Sequence, residues 1–124
     1  MPAAYHGRSS SVIVSGTPVH RPKGQFRVDG TGVSGLCQKL DFEVEFAAFI
    51  GQGNELGRAI DVGQAEDHIF GFVLLNDWSA RDFQKHEMCP FSCKNFGTTI
   101  SPWIVPFEAL EPFRTAPANA GVSL

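Results

Sequence analysis

Glu43 and Glu45 stand two apart in the run Leu40-Asp41-Phe42-Glu43-Val44-Glu45-Phe46, with Asp41 two before them. Side chains switch faces at every residue of a strand, so the three acids share one face and Leu40, Phe42, Val44 and Phe46 share the other. Same-face neighbours lie only about 7 Å apart, and like charges at that spacing repel. Such a column needs bulk water or a cation. Read alone, the run fits a half-buried strand with a solvated acidic face. The sharper reading is a divalent-metal site, because paired carboxylates are the usual ligands of hard cations. Asp77 is the first charge after the apolar run Phe70-Gly71-Phe72-Val73-Leu74-Leu75. An Asp in that place is ordinarily a turn former or helix cap. Delivered beside Glu43 and Glu45, it completes three oxygen ligands, a half-shell for Mg²⁺ or Ca²⁺. Thiolates and imidazoles are missing from the set, which argues against zinc.

Three further groups bear on chemistry. On a helix starting at Ala80, Arg81 and Gln84 are three apart and share a face. Their donors then point toward Asp77 and suit a site that stabilises negative charge developing on a substrate oxygen; the same spacing fits a solvated surface helix equally well. Lys94-Asn95-Phe96-Gly97-Thr98-Thr99 offers a cation, a glycine turn and two hydroxyls to an anion, without the glycine pattern or following helix of a P-loop. Tyr5-His6-Gly7-Arg8 offers groups for a carboxylate or keto oxygen, or a hydrogen-bonded turn into the first strand. His86, Cys89 and Cys93 have the spacing of half a zinc site with no second half, so free cysteines are the better reading.

The elements that must position these groups are short. Thirteen Gly and eight Pro in 124 residues favour short strands and turns over long helices. Residues 11–15 are a β-branched run and read as a strand; residues 23–35 read as a loop with one edge strand. Residues 36–50 read as the longest strand. Residues 61–69 read as a short helix, residues 70–75 as a strand buried on both faces, and residues 80–87 as a second helix capped by Ser79. Residues 98–101 and 103–105 are strand pieces around Pro102. The fold class is therefore mainly β with short helices (α+β), and no internal domain boundary shows.

Composition narrows the function. A hydrophobic share of 43% with 19% charged residues is globular, and eleven Phe supply core mass. A net charge of −3 with no basic tract points away from nucleic acid and anionic membranes. The apolar run at residues 69–75 is too short to span a bilayer. No apolar leader follows Met1, and three Cys is an odd count, so reduced thiols in a cytoplasmic protein are expected.

In this order, four stretches resemble the fumarylacetoacetase family: YHGRSSSVIVSGTPV (5–19), LDFEVEFAAFIGQGN (40–54), HIFGFVLLNDWSARDFQ (68–84) and KNFGTTISPWIVPFEAL (94–110). NDWSARD and YHGR are specific; E-x-E alone is not. The resemblance implies a mixed, mainly β roll or sandwich over residues 1–113. It also implies a Mg²⁺- or Ca²⁺-dependent hydrolase that cleaves a C–C bond of fumarylacetoacetate, giving fumarate and acetoacetate, the last step of tyrosine breakdown. By the same resemblance Glu43, Glu45 and Asp77 match metal ligands, and Lys94 and Thr98 match residues beside the cation. Arg81, Gln84 and Lys94 match groups that bind substrate and stabilise its oxyanion or carbanion, and Tyr5 matches a substrate-contacting tyrosine. A diketo-acid substrate and a homodimer are the family's expectation.

The departures are as informative. Family members are longer, with a metal-binding Asp and a catalytic His upstream of YHGR and a Glu orienting that His downstream. Those residues have no counterpart here, Met88 stands where the family has a substrate-binding Tyr, and residues 114–124 match nothing and read as a tail. The expectation is a central piece of the enzyme. A positioned base supplies about 10²–10⁴-fold in rate, so the isolated chain should be weak or inactive. A cut β roll should also expose aggregation-prone edges. The alternatives are an inactive truncated metal-binding fragment, or a decarboxylase, isomerase or hydratase of another oxo acid on the same scaffold.

Overall fold

The computed structural model describes Tyr5, residues 7–87 and residues 91–116. His6, Met88, Cys89 and the tail from residue 117 lie outside the described residues. The chain divides into two compact units, one of residues 1–47 and 73–102, the other of residues 48–72 and 103–124.

The first unit carries β1 (Val12–Val14), β8 (Thr98–Ile100) and parts of β5 (Val44–Ile50) and β6 (Ile69–Asp77), in the sheet order β1, β8, β6, β5. β1 runs parallel to β8 with Val12 beside Thr98. β6 runs antiparallel to β8 with Asp77 beside Thr98. The sheet is thus mixed, as expected for an α+β fragment.

Residues 23–35 are not a loop. β2 (Lys23–Val28) and β3 (Thr31–Leu36) form an antiparallel hairpin in which Val28 faces Thr31 across a two-residue turn. Asp29 and Gly30 take φ of 48° and 81°. Both values are positive, as a type I′ turn requires, and Asp-Gly is a favoured pair for it. The hairpin brings Phe26 onto Phe83 with ring centroids 5.8 Å apart, and these rings pack with Cys37, Ala80 and Cys93 to form the buried core.

The expected long strand at 36–50 is broken into the end of β3, then β4 (Leu40–Asp41), then β5. Two side chains cause the break by taking backbone donors that a ladder would use. Asp41 Oδ1 accepts from Phe42 N at 2.9 Å, and Asn76 Oδ1 accepts from Glu43 N at 3.1 Å. The longest strand is instead the nine-residue β6. It is not buried on both faces: Gly71 and Val73 are buried, whereas Phe70 and Leu74 are exposed. Phe42, Val44 and Phe46, the expected inner face, are also exposed in this chain, each above 60%.

The helix expected at residues 80–87 is the single turn α1 (Arg81–Gln84). Ser79 does not cap it. Ser79 and Ala80 form β7, which pairs antiparallel with β4, and the Ser79 hydroxyl donates to Asp77 O at 3.0 Å.

In the second unit, β9 (Val105–Pro106) pairs with the start of β6 and leads into α2 (Phe107–Leu110). The helix expected at 61–69 is a 3-10 helix, Val62–His68, with the Asp61 carboxylate accepting from Gly63 N at 2.8 Å. Phe107 packs on Phe72, and Arg114 lies over Phe107 while pairing with Glu66 at 2.6 Å. Among the described residues no helix is long and apolar enough to cross a membrane.

Candidate metal and substrate site

The break in the acidic run sends its carboxylates to different places. Asp41 leaves with β4, Glu43 lies in the break itself, and Glu45 enters the main sheet on β5. Asp77 N donates to Glu43 O at 3.0 Å, which fixes the end of β6 against the start of β5. As a result Glu43, Glu45 and Asp77 each bring one carboxylate oxygen within 4.8 Å of the others. Asp77 is buried at 4% exposure, Glu43 is half-buried and Glu45 is exposed.

Lys94 lies beneath this cluster at 3% exposure, with Nζ 2.5 Å from Glu43 Oε2 and 3.1 Å from Asp77 Oδ2. A buried ammonium between two carboxylates offsets their repulsion. Lys94 is held there by Glu87. The Glu87 carboxylate accepts from the backbone N–H groups of Phe91, Ser92 and Cys93 at 3.1, 3.1 and 3.2 Å, folding the turn that delivers Lys94. Burial works against the Glu87 charge, but hydrogen bonds from the Cys93 thiol and the Ser92 hydroxyl, followed by those from the backbone, outweigh it and hold the carboxyl below its usual range.

Arg81 joins through Glu43. Its Nη1 donates to Glu43 Oε1 at 2.6 Å and to Gln84 Oε1 at 2.9 Å, and its Nε donates to Asp41 Oδ2 at 2.9 Å. The shared face expected for Arg81 and Gln84 is present, with the two side chains bonded to each other. Burial pushes Glu43 up, but Lys94 and Arg81 together bring its carboxyl below the usual range. Glu45 lacks such partners, and burial plus the Asp77 and Glu43 charges raise it.

An open cleft of about 330 Å³ lies over the cluster, bordered by Tyr5, Arg8, Ser9, Glu45, Asp77 and Thr98. The Tyr5 hydroxyl donates to Asp77 Oδ2. Burial, Asp77 and then the other two carboxylates push its pKa above the usual phenol value, so Tyr5 is a donor and not a base. Thr98 sits beside Asp77 through strand register. Among the described residues no histidine borders the cleft.

The residues fit a divalent cation. Carboxylate oxygens are the right donor type for Mg²⁺ or Ca²⁺. Asp77 Oδ1 is buried with no partner among the described residues, which is costly unless a cation or another group satisfies it. The thiols are not competitors. Cys37 and Cys93 are free and buried, and burial followed by the neighbouring Asp82 and Glu87 pushes them up to about 11 and about 12.

Sequence reasoning missed the roles of three residues. Asp41 has the same spacing signal as Glu43 and Glu45 but grips Arg81. Asn76 and Glu87 organise backbone, and no local pattern marks them. Arg8, singled out within YHGR, borders the cleft.

The mixed-sheet α+β fragment thus carries a three-carboxylate cluster, a buried lysine and a paired arginine, a donor set of the kind that holds a hard divalent cation. The family model described as fumarylacetoacetate (FAA) hydrolase C-terminal matches residues 1–123, past Arg114, where the motif resemblance ended. The chain is 58% identical over 118 residues to a fumarylacetoacetase of Bos taurus, covering 91% of this chain and 28% of that protein. It is 56% identical over 118 residues to one from Homo sapiens, covering 91% and 28%. It is 53% identical over 129 residues to one from Emericella nidulans, covering 98% and 30%. The chain belongs to the fumarylacetoacetate hydrolase family and spans under a third of the length of these relatives.

Proposed function

We propose that this chain is the metal-holding part of an enzyme that hydrolyses fumarylacetoacetate to fumarate and acetoacetate. The observation that carries the reading is the carboxylate cluster of Glu43, Glu45 and Asp77 with the orphaned Asp77 Oδ1, set between a cleft and the Arg81–Gln84 pair. Fifty-odd per cent identity to proteins named fumarylacetoacetase supports the substrate.

Glu43, Glu45 and Asp77 would hold a Mg²⁺ or Ca²⁺ ion, which when bound supplies Lewis-acid polarisation of a substrate oxygen. Tyr5 donates from the wall of the cleft. Lys94 and Arg81 present positive charge where an oxyanion or carbanion develops, and in a partly closed site such charges act more strongly than in water. In the overall step the water oxygen bonds to the carbonyl carbon on the fumarate side. The C–C bond breaks with its electron pair on the acetoacetate carbon. One water proton ends on that carbon and the other is released with the new carboxylate. We place the base that accepts the first proton outside these residues, since Tyr5 stays protonated and no described histidine borders the cleft. Thr98 lies beside the cation position through its register with Asp77.

The test is the fall in ultraviolet absorbance of fumarylacetoacetate with the complete protein, with and without a chelator. Cleavage that chelation abolishes and Mg²⁺ or Ca²⁺ restores is expected, along with loss of cleavage in Asp77→Asn. Undiminished turnover by Asp77→Asn in chelator would overturn the metal role. Faster decarboxylation of another oxo acid would overturn the substrate.

A further inference from the structure

We propose that Asp41 is a positioning residue that aims the Arg81 guanidinium at the substrate. The inference rests on the reading above, in which Arg81 binds substrate. Glu43 Oε1 and Gln84 Oε1 both anchor the Arg81 guanidinium at one nitrogen, Nη1, about which the group can still pivot. The bond from Nε to Asp41 Oδ2 at 2.9 Å anchors a second nitrogen of the same rigid plane, and two anchored nitrogens fix its orientation.

The pairing is built by the backbone. β4 and β7 place Leu40 beside Ala80 and Asp41 beside Ser79, and Arg81 N donates to Lys39 O at 2.8 Å. Arg81 follows β7 directly, so the ladder sets the two side chains side by side. The bend at Phe42, which Asp41 helps make by accepting from Phe42 N, separates Asp41 from the cation cluster. Glu43 serves Lys94 and the cluster as well as Arg81; Asp41 is the carboxylate left to serve Arg81. Its side chain is 47% exposed, so the ion pair does little for overall stability. Its effect lies in orientation, which a small displacement spoils.

The experiment uses the complete protein with Asp41→Asn, Arg81→Lys and the double variant. Three readouts are taken: kcat and KM on fumarylacetoacetate, thermal melting, and the rate at which phenylglyoxal modifies Arg81, followed by peptide mass spectrometry. Asp41→Asn should lower kcat/KM about tenfold, move melting by no more than about 2 °C, and speed Arg81 modification several-fold. In the Arg81→Lys background, where no Nε donor exists at that place, Asp41→Asn should cost little more. An equal loss in both backgrounds, or a loss matched by a collapse in melting, would overturn the proposal. If the wild-type protein does not cleave fumarylacetoacetate, the functional reading fails by itself. Arg81 modification then decides: a faster rate in Asp41→Asn supports the positioning role, and an unchanged rate overturns it.

Discussion

Replacing Lys94 by Met removes a charge while keeping most of the stem. Lys94 is 3% exposed and its Nζ lies 2.5 Å from Glu43 and 3.1 Å from Asp77, so the cluster loses its internal counter-ion. Two carboxylate oxygens at the 4.8 Å limit of the cluster repel by about 3.5 kcal/mol at an effective dielectric of about 20. Solvent removes much of that, because Glu45 is exposed and the Glu43 side chain keeps 31% of its surface. Breaking a buried pair costs about 3–5 kcal/mol, and the open side of this one puts the expectation near 3 kcal/mol without divalent cation. A bound cation faces the same carboxylates and relieves the same repulsion. The destabilisation should therefore shrink by at least half in saturating Mg²⁺ or Ca²⁺, while cation affinity rises because a nearby positive charge is gone. The assay is unfolding of the complete protein in chelator and in excess cation, with calorimetric titration of the metal. An equal loss of stability under both conditions, together with weaker cation binding, would refute the view that Lys94 balances the cluster. Under the proposed function, in which Lys94 also stabilises charge on the substrate, turnover should fall whichever way the stability test comes out.

Two other perturbations test the scaffold. A Cβ on Gly24 would lie 2.7 Å from Cε2 of Phe83, a fully buried ring, so Gly24→Ala should cost about 1–3 kcal/mol in a urea titration, and a midpoint equal to wild type would contradict the packing. Burial disfavours the Asp82 charge, yet the Cys37 thiol at 3.0 Å, Gln38 N at 2.6 Å and Phe83 N at 3.2 Å hold the carboxyl below its usual value. A depressed carboxyl contributes stability above the unfolded value of about 3.9, and that contribution disappears as pH falls through the folded one. Wild type should therefore lose stability steeply below about pH 4 and Asp82→Asn less steeply; parallel curves would exclude the role.

What could be read from the sequence depended on how local each cause was. The strand at Val12–Val14, the apolar β6 and the Arg81–Gln84 pair follow from spacing alone. The β2–β3 hairpin was readable from Asp29-Gly30 but was masked by four glycines that look like a loop. The break after Asp41 was not readable, because half of it is made by Asn76, 33 residues away. The same holds for Glu87, whose bonds to the turn of residues 91–93 carry no local signature. A strict alternation of acids suggested one strand and one role. It is shared between two ladders, and the acids do different things.

That division has an electrostatic consequence. Around the site four carboxylates (Asp41, Glu43, Glu45 and Asp77) face two cations (Arg81 and Lys94), leaving a formal charge of −2. One divalent cation cancels that charge, and a monovalent one does not. The two resident cations are not placed evenly. Arg81 takes Asp41 and one oxygen of Glu43, Lys94 takes the other oxygen of Glu43 and one of Asp77, and Glu45 has neither. The uncompensated charge therefore sits on the side of Glu45 and Asp77 Oδ1, which is the side bordered by the cleft. An anionic substrate entering that cleft would be repelled by the bare cluster and accepted by the neutralised one. Cation binding should thus precede substrate binding, so that raising the cation concentration lowers the apparent KM until the site is full. A KM that does not respond to cation concentration would show that the negative charge is balanced by other means.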